Sequence, residues 1–447
     1  MRLLIVSHSY RPSISPRSIR WSAIAEHWAR QGHEVCVVCG GEARLPRHEV
    51  IEKVHVYRPE CGFLESRRAQ VEVSNCAASR NREAGQKRAI LASQVARLGY
   101  KVSQAIWRSL YWPDYACLWR RVAVKRAREL LVDERLDALI TVSLPFTGHL
   151  VGLDLKGEFP RIPWLADAGD PFCFMDQTPV NNFLLYRRAN FRADRRVFSR
   201  ADAITVTTPE TRAEYGSRFT DSLRKMSVIP PLFSSTRDDT FMAARAPVDG
   251  VRRLVYAGTL YRSIRNPQGL LKLFCGLLEK DPRWQLHFVG ALHDCQAVFK
   301  PFEQMFLRQI FMHGSITRSQ ALERLREADL LVNLGNASAY QLPSKVVEYA
   351  MLRRPVLNLT TIAEDTSANF FRKYPLALTI QENSGANIAD QVERLTRFLA
   401  SKPWMDDADW NRFVAPFQTD QVAHAYEQVL LGAVRSVGGD QPLVRAA

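Results

Sequence analysis

No run in these 447 residues reaches the roughly 18 consecutive apolar positions that a membrane-crossing helix needs. The opening "MRLLIVSHSY" breaks into polar residues too soon for a secretory signal. It reads as a first β-strand, and a cytoplasmic protein is expected. No G-x-x-x-x-G-K-[ST] phosphate loop occurs, and no G-x-G-x-x-G follows the first strand of either half. That argues against a P-loop ATPase and weakens a dehydrogenase reading. The eight cysteines form no framework. Cys36 and Cys39 make one C-x-x-C, but in a β-branched run where that spacing puts the side chains on opposite strand faces. Without a second pair for zinc, a buried strand in a reducing compartment is the plainer reading. The D-x-D at Asp407–Asp409 opens an acidic helix and reads as surface charge. No metal site is expected.

What is abundant is positive charge, a formal +15, unevenly spread. Residues 61–128 hold 14 Lys/Arg against 4 Asp/Glu, a net of +10. Such a patch seeks an anionic neighbour. Within it Ile90, Val95, Leu98, Val102, Ile106 and Leu110 have helical spacing, with Trp107, Tyr111 and Trp112 suited to an interface. This is the pattern of a peripheral membrane helix, and an amphipathic helix packed on a sheet is the alternative. No nucleic-acid module accompanies the charge, so no nucleic-acid partner is expected.

The rhythm of the chain is a short β-branched strand followed by a helical pattern. In the first half strands are expected at 3–7, 34–39, 54–57, 137–142, 162–167, 203–207 and 226–230. After a polar stretch at 234–250, read as a linker, the rhythm restarts with "RRLVYAG", "WQLHFVG", "IFMHG", "ADLLVNLG" and "RPVLNL". Two α/β domains with parallel sheets follow: residues 1–233, carrying a basic helical insertion at about 61–130, and residues 251–415. A C-terminal helix and tail, 416–447, is expected to pack back towards the first domain. Ligands of such sheets sit beyond the carboxyl ends of the strands, so the residues there were singled out.

In "LPSKVVEYAMLRRPVL" a helix is expected from Pro343. Lys345 then stands at a helix N-terminus, where the dipole disfavours a cation. A diphosphate held by the free N–H groups of Ser344 and Lys345 would give the lysine a partner. Glu348, one turn on, could accept from ribose hydroxyls. A simple Lys345–Glu348 pair at i,i+3 is the alternative. Arg262 and Arg265 lie in the loop after the second domain's first strand, before a helix that Asn266 and Pro267 would open. In the first domain Asp167 and Asp170 follow a strand in "WLADAGDPF", and His149 opens a helix in "SLPFTGHLVGL". These could bind sugar hydroxyls or serve as a base; turn chemistry and a packed histidine are the alternatives.

Together these motifs resemble the retaining glycosyltransferases of the GT-B fold, specifically the GT4 family that builds bacterial polysaccharides and glycolipids, in its "PSK…E" subgroup. The segments that carry the resemblance run over nearly the whole chain, from "SIRWSAIAEHWARQGHEV" through "PWLADAGDPF", "ADAITVTTPETRAEY" and "YAGTLYRSIRNP" to "LPSKVVEYAMLRRPV". The resemblance implies two Rossmann-like domains facing across a cleft that closes during reaction. It implies sugar transfer, with retention and without an obligatory metal or other cofactor, from a nucleotide-diphosphate sugar to a lipid-linked or polysaccharide acceptor at the inner membrane face. Residue by residue it places Gly258, Thr259, Arg262, Arg265, Ser344 and Lys345 on phosphate and Glu348 on ribose. Tyr340, Leu342 and Pro343 fall on the donor-sugar side. Ser15, Arg20, Ser143 and Asp167 fall in the first domain's cleft, and His149 and Asp170 near the acceptor.

The chain departs from the pattern at several positions. Tyr340 replaces a frequent glutamate, Ser143 a histidine and Thr259 a basic residue, while "PSISPRS" lacks the usual two glycines. A GT-B-fold nucleotide-sugar epimerase and a GT-B protein that binds without transferring are the other readings.

Overall fold

The computed structural model describes residues 1–13, 15–41, 45–60, 109–176, 179–233, 250–382, 385 and 387–438. The chain divides into two compact units. One comprises Met1–Thr207, Arg212–Ile229 and Val422–Ala447, the other Thr208–Thr211 and Pro230–Gln421. The expected linker lies almost wholly outside the described residues.

The first unit is built on an eight-stranded sheet of order β3-β4-β2-β1-β5-β6-β7-β8. Its strands are β1 (Arg2–Val6), β2 (Glu34–Val38), β3 (His48–Ile51), β4 (Val54–Tyr57), β5 (Ala138–Ser143), β6 (Trp164–Ala168), β7 (Ala203–Val206) and β8 (Met226–Val228). All pairings are parallel except β3 with β4. The central strands are buried along almost their whole length, which is why they read as apolar runs rather than alternations. β3 escaped the sequence reading because its pattern, HEVI, is that of a half-exposed edge.

Helix α1 (Pro16–Arg30) starts where Ser15 accepts from the Ser18 N–H, with Pro16 in the first turn. The other helices of this unit are α2 (Trp119–Asp133), α3 (Thr147–Glu158), α4 (Phe183–Arg200) and most of α5 (Pro209–Arg218). From Val422 onward, α12 (Thr419–Gly438) packs in this unit as well. The Trp28 indole donates to Ala423 O at 3.2 Å, and the Trp21 ring meets that of Tyr426 at 4.9 Å.

The second unit is a six-stranded, all-parallel sheet of order β11-β10-β9-β12-β13-β14. Its strands are β9 (Arg252–Ala257), β10 (Trp284–Val289), β11 (Ile310–Gly314), β12 (Leu330–Leu334), β13 (Val356–Thr360) and β14 (Ala377–Gln381). Leu254, Leu271, Phe274, Leu286 and Phe288 form the core on one side, and Val255, Leu331, Val346 and Tyr349 that on the other. Helices α6 (Gln268–Lys280), α7 (Arg318–Arg326), α8 (Lys345–Met351), α9 (Thr366–Phe371), α10 (Ile388–Ala400) and α11 (Asp407–Val414) complete it. In both sheets the strand order reverses beside the first strand, between β1 and β5 and between β9 and β12. Those reversals are the places where open α/β sheets bind ligands.

Only the end of the basic segment lies among the described residues. The stripe from Ile90 to Ile106, with Trp107, lies outside the described residues. The described end is packed inward: Tyr111 is buried, and the Trp112 indole donates to Asn190 Oδ1 at 3.0 Å. On α2 Arg120 pairs with Asp154 (2.6 Å) and Arg128 with Glu158 (2.6 Å). Cys36 and Cys39 are buried, and neither is in a disulfide. Asp407 and Asp409 pair with Arg353 and Arg412 in the first turn of α11.

Candidate functional site

At the β9/β12 reversal the second unit gathers two cations. Lys345 follows β12 and sends its ammonium to the carbonyl of Ala257, the last residue of β9. Arg265 comes from the loop after β9, which a backbone bond from Arg265 N to Tyr261 O folds tight. Its Nε donates to Asn336 Oδ1 at 2.8 Å. Neither cation meets a carboxylate at ion-pair distance among the described residues. Burial is the main force lowering the Lys345 pKa to about 8, the charge of Arg265 adds to it, and Glu348 opposes it. A lysine held there, beside another cation, is a site prepared for an anion.

Gly258 makes the arrangement possible. A Cβ at this position would run into the Lys345 ammonium and, at 2.8 Å, the Tyr256 hydroxyl. Thr259 lies beside it, its carbonyl accepting from the Tyr256 hydroxyl at 3.2 Å. Arg262 is exposed, with its backbone N–H bound to Asp294 Oδ1 at 2.9 Å.

The segment at 342–351 differs from expectation in where its helix starts, and it does not form the ion pair that stood as the alternative. The helix begins at Lys345 rather than Pro343: Ser344 already has helical angles, and Val346 N bonds to Pro343 O in a tight first turn. With seven residues, α8 offers a weak dipole, so the attraction for an anion comes from the two side-chain charges. Nor does Lys345 take Glu348 as its partner. Glu348 Oε1 accepts from Arg318 Nη1 of α7 at 2.8 Å, and Lys345 turns to the end of β9. Pro343 is buried, Leu342 packs against the core beneath α8, and Tyr340 is half-buried in the loop after β12.

The first unit's candidates separate into two groups. Asp167 is buried and spent on structure. Its Oδ2 accepts from Trp21 Nε1 at 2.9 Å, and its Oδ1 from Thr205 Oγ1 and the Tyr426 hydroxyl, each at 2.8 Å. Arg20, placed in the cleft by the resemblance, is also buried. It donates to the Tyr426 hydroxyl at 2.9 Å and to Ile229 O at 3.2 Å, because the C-terminal helix covers that face of α1. Ser15 serves as the α1 cap.

Asp170, by contrast, is half-exposed and meets Arg17 Nη2 at 2.5 Å. Burial acts against the Arg17 charge, but Asp170 and Asp167 outweigh it and hold the guanidinium protonated. His149 is fully buried, with Nδ1 2.8 Å from Thr141 Oγ1. Burial takes its pKa down to about 4, Asp167 opposes this and Arg17 reinforces it, so the imidazole is neutral at pH 7. Its Nε2 and the Ser143 hydroxyl are buried without a hydrogen-bond partner among the described residues. The sequence reading missed Arg17. It missed Arg318 too, whose pairing with Glu348 no sequence spacing announces. Among the described residues no group of three His, Cys, Asp or Glu side chains could hold a metal.

Residues 18–231 match the family described as Glycosyl transferase 4-like domain. No curated protein matches the sequence. The fold is that of a glycosyltransferase from Rickettsia africae, 10% identical, with 98% of this chain and 99% of that one covered at a TM-score of 0.57. It is likewise that of the catalytic domain of starch synthase IV from Arabidopsis thaliana bound to ADP and acarbose (12% identity, 97% and 99% covered, TM-score 0.57). HepE from Anabaena in complex with UDP-glucose matches equally (12%, 97% and 100%, 0.57). Residues 18–231 are thus similar to the glycosyl transferase 4-like domain, and the chain as a whole has the GT-B fold.

Proposed function

We propose that this protein is a retaining glycosyltransferase that moves a sugar from a nucleotide-diphosphate sugar to a lipid-linked or polysaccharide acceptor at the inner face of the membrane. The observation that carries the donor half is the Arg265–Lys345 pair, two cations that no described carboxylate pairs, at the β9/β12 reversal. Similar folds are known with ADP and with UDP-glucose bound. In this reading the diphosphate lies against Arg265, Lys345 and the backbone at Gly258–Thr259, with Arg262 at its outer edge and Ser344 offering its N–H. Glu348 accepts from the ribose hydroxyls, steadied by Arg318, and Tyr340, Leu342 and Pro343 flank the donor sugar.

As the bond from the anomeric carbon to the diphosphate oxygen breaks, negative charge grows on the leaving group. Preorganised cations stabilise that charge most in a site from which water is excluded. They supply the role a metal would otherwise fill, so transfer is expected to survive chelation. The acceptor hydroxyl adds to the anomeric carbon on the face the diphosphate leaves, and its proton passes to the departing phosphate. Asp170, held by Arg17, orients that hydroxyl. His149, neutral and buried behind it with Ser143, acts as a positioning residue.

A thermal-shift screen of UDP-, GDP-, ADP- and TDP-sugars tests the donor site, since a ligand that binds the folded state raises the melting temperature by mass action. One of them should stabilise the protein, and Lys345→Ala and Glu348→Ala should each weaken that donor by roughly tenfold or more, the loss expected for a charged hydrogen bond. Unchanged donor affinity in both variants would sink the assignment.

A further inference from the structure

Helix α4 carries a surface that the transfer reaction does not use. Its sequence opens FLLYRRANFR, and Leu184 and Leu185 at its start are 96% and 62% exposed. The Tyr186 hydroxyl donates to Leu110 O at 2.8 Å, which sets Leu110, itself 63% exposed, alongside them. One turn further on, Arg187, Arg188 and Arg192 rim a cavity of about 510 Å3 walled by Phe174, Phe183 and Phe191, with Asp176 the one carboxylate in its lining. None of these three arginines makes an ion pair or side-chain hydrogen bond with a described residue. The contrast with Arg218, which also lines the cavity, is informative: it is tied to Glu214 at 2.6 Å and lies over the Phe174 ring.

We infer that this face docks the protein on an anionic lipid bilayer. Clustered water-exposed leucines beside cations that no described residue pairs mark an interaction surface. Leucines that enter the headgroup boundary, with arginines one turn away to meet lipid phosphates, are the two halves of an interfacial anchor. Arginine matches phosphate with a bidentate fork, and the aromatic cavity between the arginines suits the upper acyl chain of one lipid. A soluble anion would have no use for the leucines. An apolar protein partner would have no use for a rim of three arginines that only Asp176 offsets. The inference deepens the membrane part of the proposed function and shares no residue with the donor site, so the two can fail separately.

The test is flotation of the full chain with vesicles of phosphatidylcholine alone and of phosphatidylcholine with phosphatidylglycerol, with donor binding measured on the same samples. The wild type should float with the anionic vesicles and detach as salt rises. Each arginine removed should cost roughly fivefold in partition, so Arg187→Gln/Arg188→Gln/Arg192→Gln should lower it about a hundredfold. Replacing the same three by lysine should restore most of it. Leu184→Ser/Leu185→Ser should lower it by roughly tenfold or more with the charges intact. These side chains are exposed, so melting temperature and donor affinity should not move. The inference is overturned if the wild type does not float, if both variants float like the wild type, or if the surface takes up inorganic phosphate but not vesicles.

Discussion

Arg17 reaches Asp170 across the backbone of Gly169, closing an ion pair of 2.5 Å over the space where any other residue would place a Cβ. Three residues earlier, in β6, Asp167 meets the same helix one turn further on and holds Trp21, Thr205 and Tyr426. Two aspartates that look alike in the sequence therefore do different work: one ties the C-terminal helix to the sheet, the other waits at the sheet end with a cation beside it.

That division can be measured. Asp167→Ala leaves three buried donors without an acceptor, at about 1–3 kcal/mol each, so urea melts should show a loss of at least about 3 kcal/mol. Asp170→Asn leaves Arg17 an amide oxygen to donate to but takes the carboxylate charge from a largely buried guanidinium, so it should cost about 1–3 kcal/mol, less than Asp167→Ala. It should raise the KM for acceptor and leave donor affinity alone. Equal destabilisation by the two would end the distinction.

The fold was legible because both sheets are buried on two faces, so their strands announce themselves as apolar runs between helical periods. Boundaries expected at 137–142 and 203–207 fall within a residue or two of β5 and β7. β14 was missed because "ALTIQ" is half-exposed and lacks the unbroken apolar run of the buried strands. Lys345 was legible as an electrostatic misfit at a helix start. Arg17, two positions after Ser15 in the first turn of α1, carries the same misfit and was overlooked. Its partner lies 153 positions away, and pairing at that distance is fixed by topology rather than spacing. Arg20 and Asp167 were taken for ligand-facing residues because nothing in their neighbourhood reveals that Tyr426 covers them.

The Lys345 pKa sets a pH signature. With a folded value of about 8 against the ordinary 10.5, the unfolded chain binds more protons between those limits, so this residue makes stability rise with pH across that window. Donor binding runs the opposite way. A bound diphosphate holds the lysine protonated, so the complex takes up a proton above pH 8 and affinity should fall, by at most tenfold per pH unit. Titration calorimetry in two buffers of different ionisation heat would detect the proton directly. Lys345→Met should bind weakly at every pH with no inflection near 8; an inflection that survives in that variant would assign the proton to another group.

Gly258→Ala offers the sharpest local test, because it adds one methyl group and no charge. The new Cβ would collide with the Lys345 ammonium and the Tyr256 hydroxyl, and overpacking of this kind costs about 1–3 kcal/mol. Tyr256 is buried in the sheet core and cannot yield, so the lysine must move off the end of β9, away from Arg265. Donor affinity should then fall by roughly tenfold, as for loss of a charged hydrogen bond, while acceptor KM stays as it was. Gly432→Ala serves as the control: it lies in α12, nothing stands within 4 Å of its Cβ, and it should gain about 0.5–1 kcal/mol of stability with no effect on donor binding. If Gly258→Ala binds donor as tightly as the wild type, the lysine's contact with β9 plays no part in holding the diphosphate.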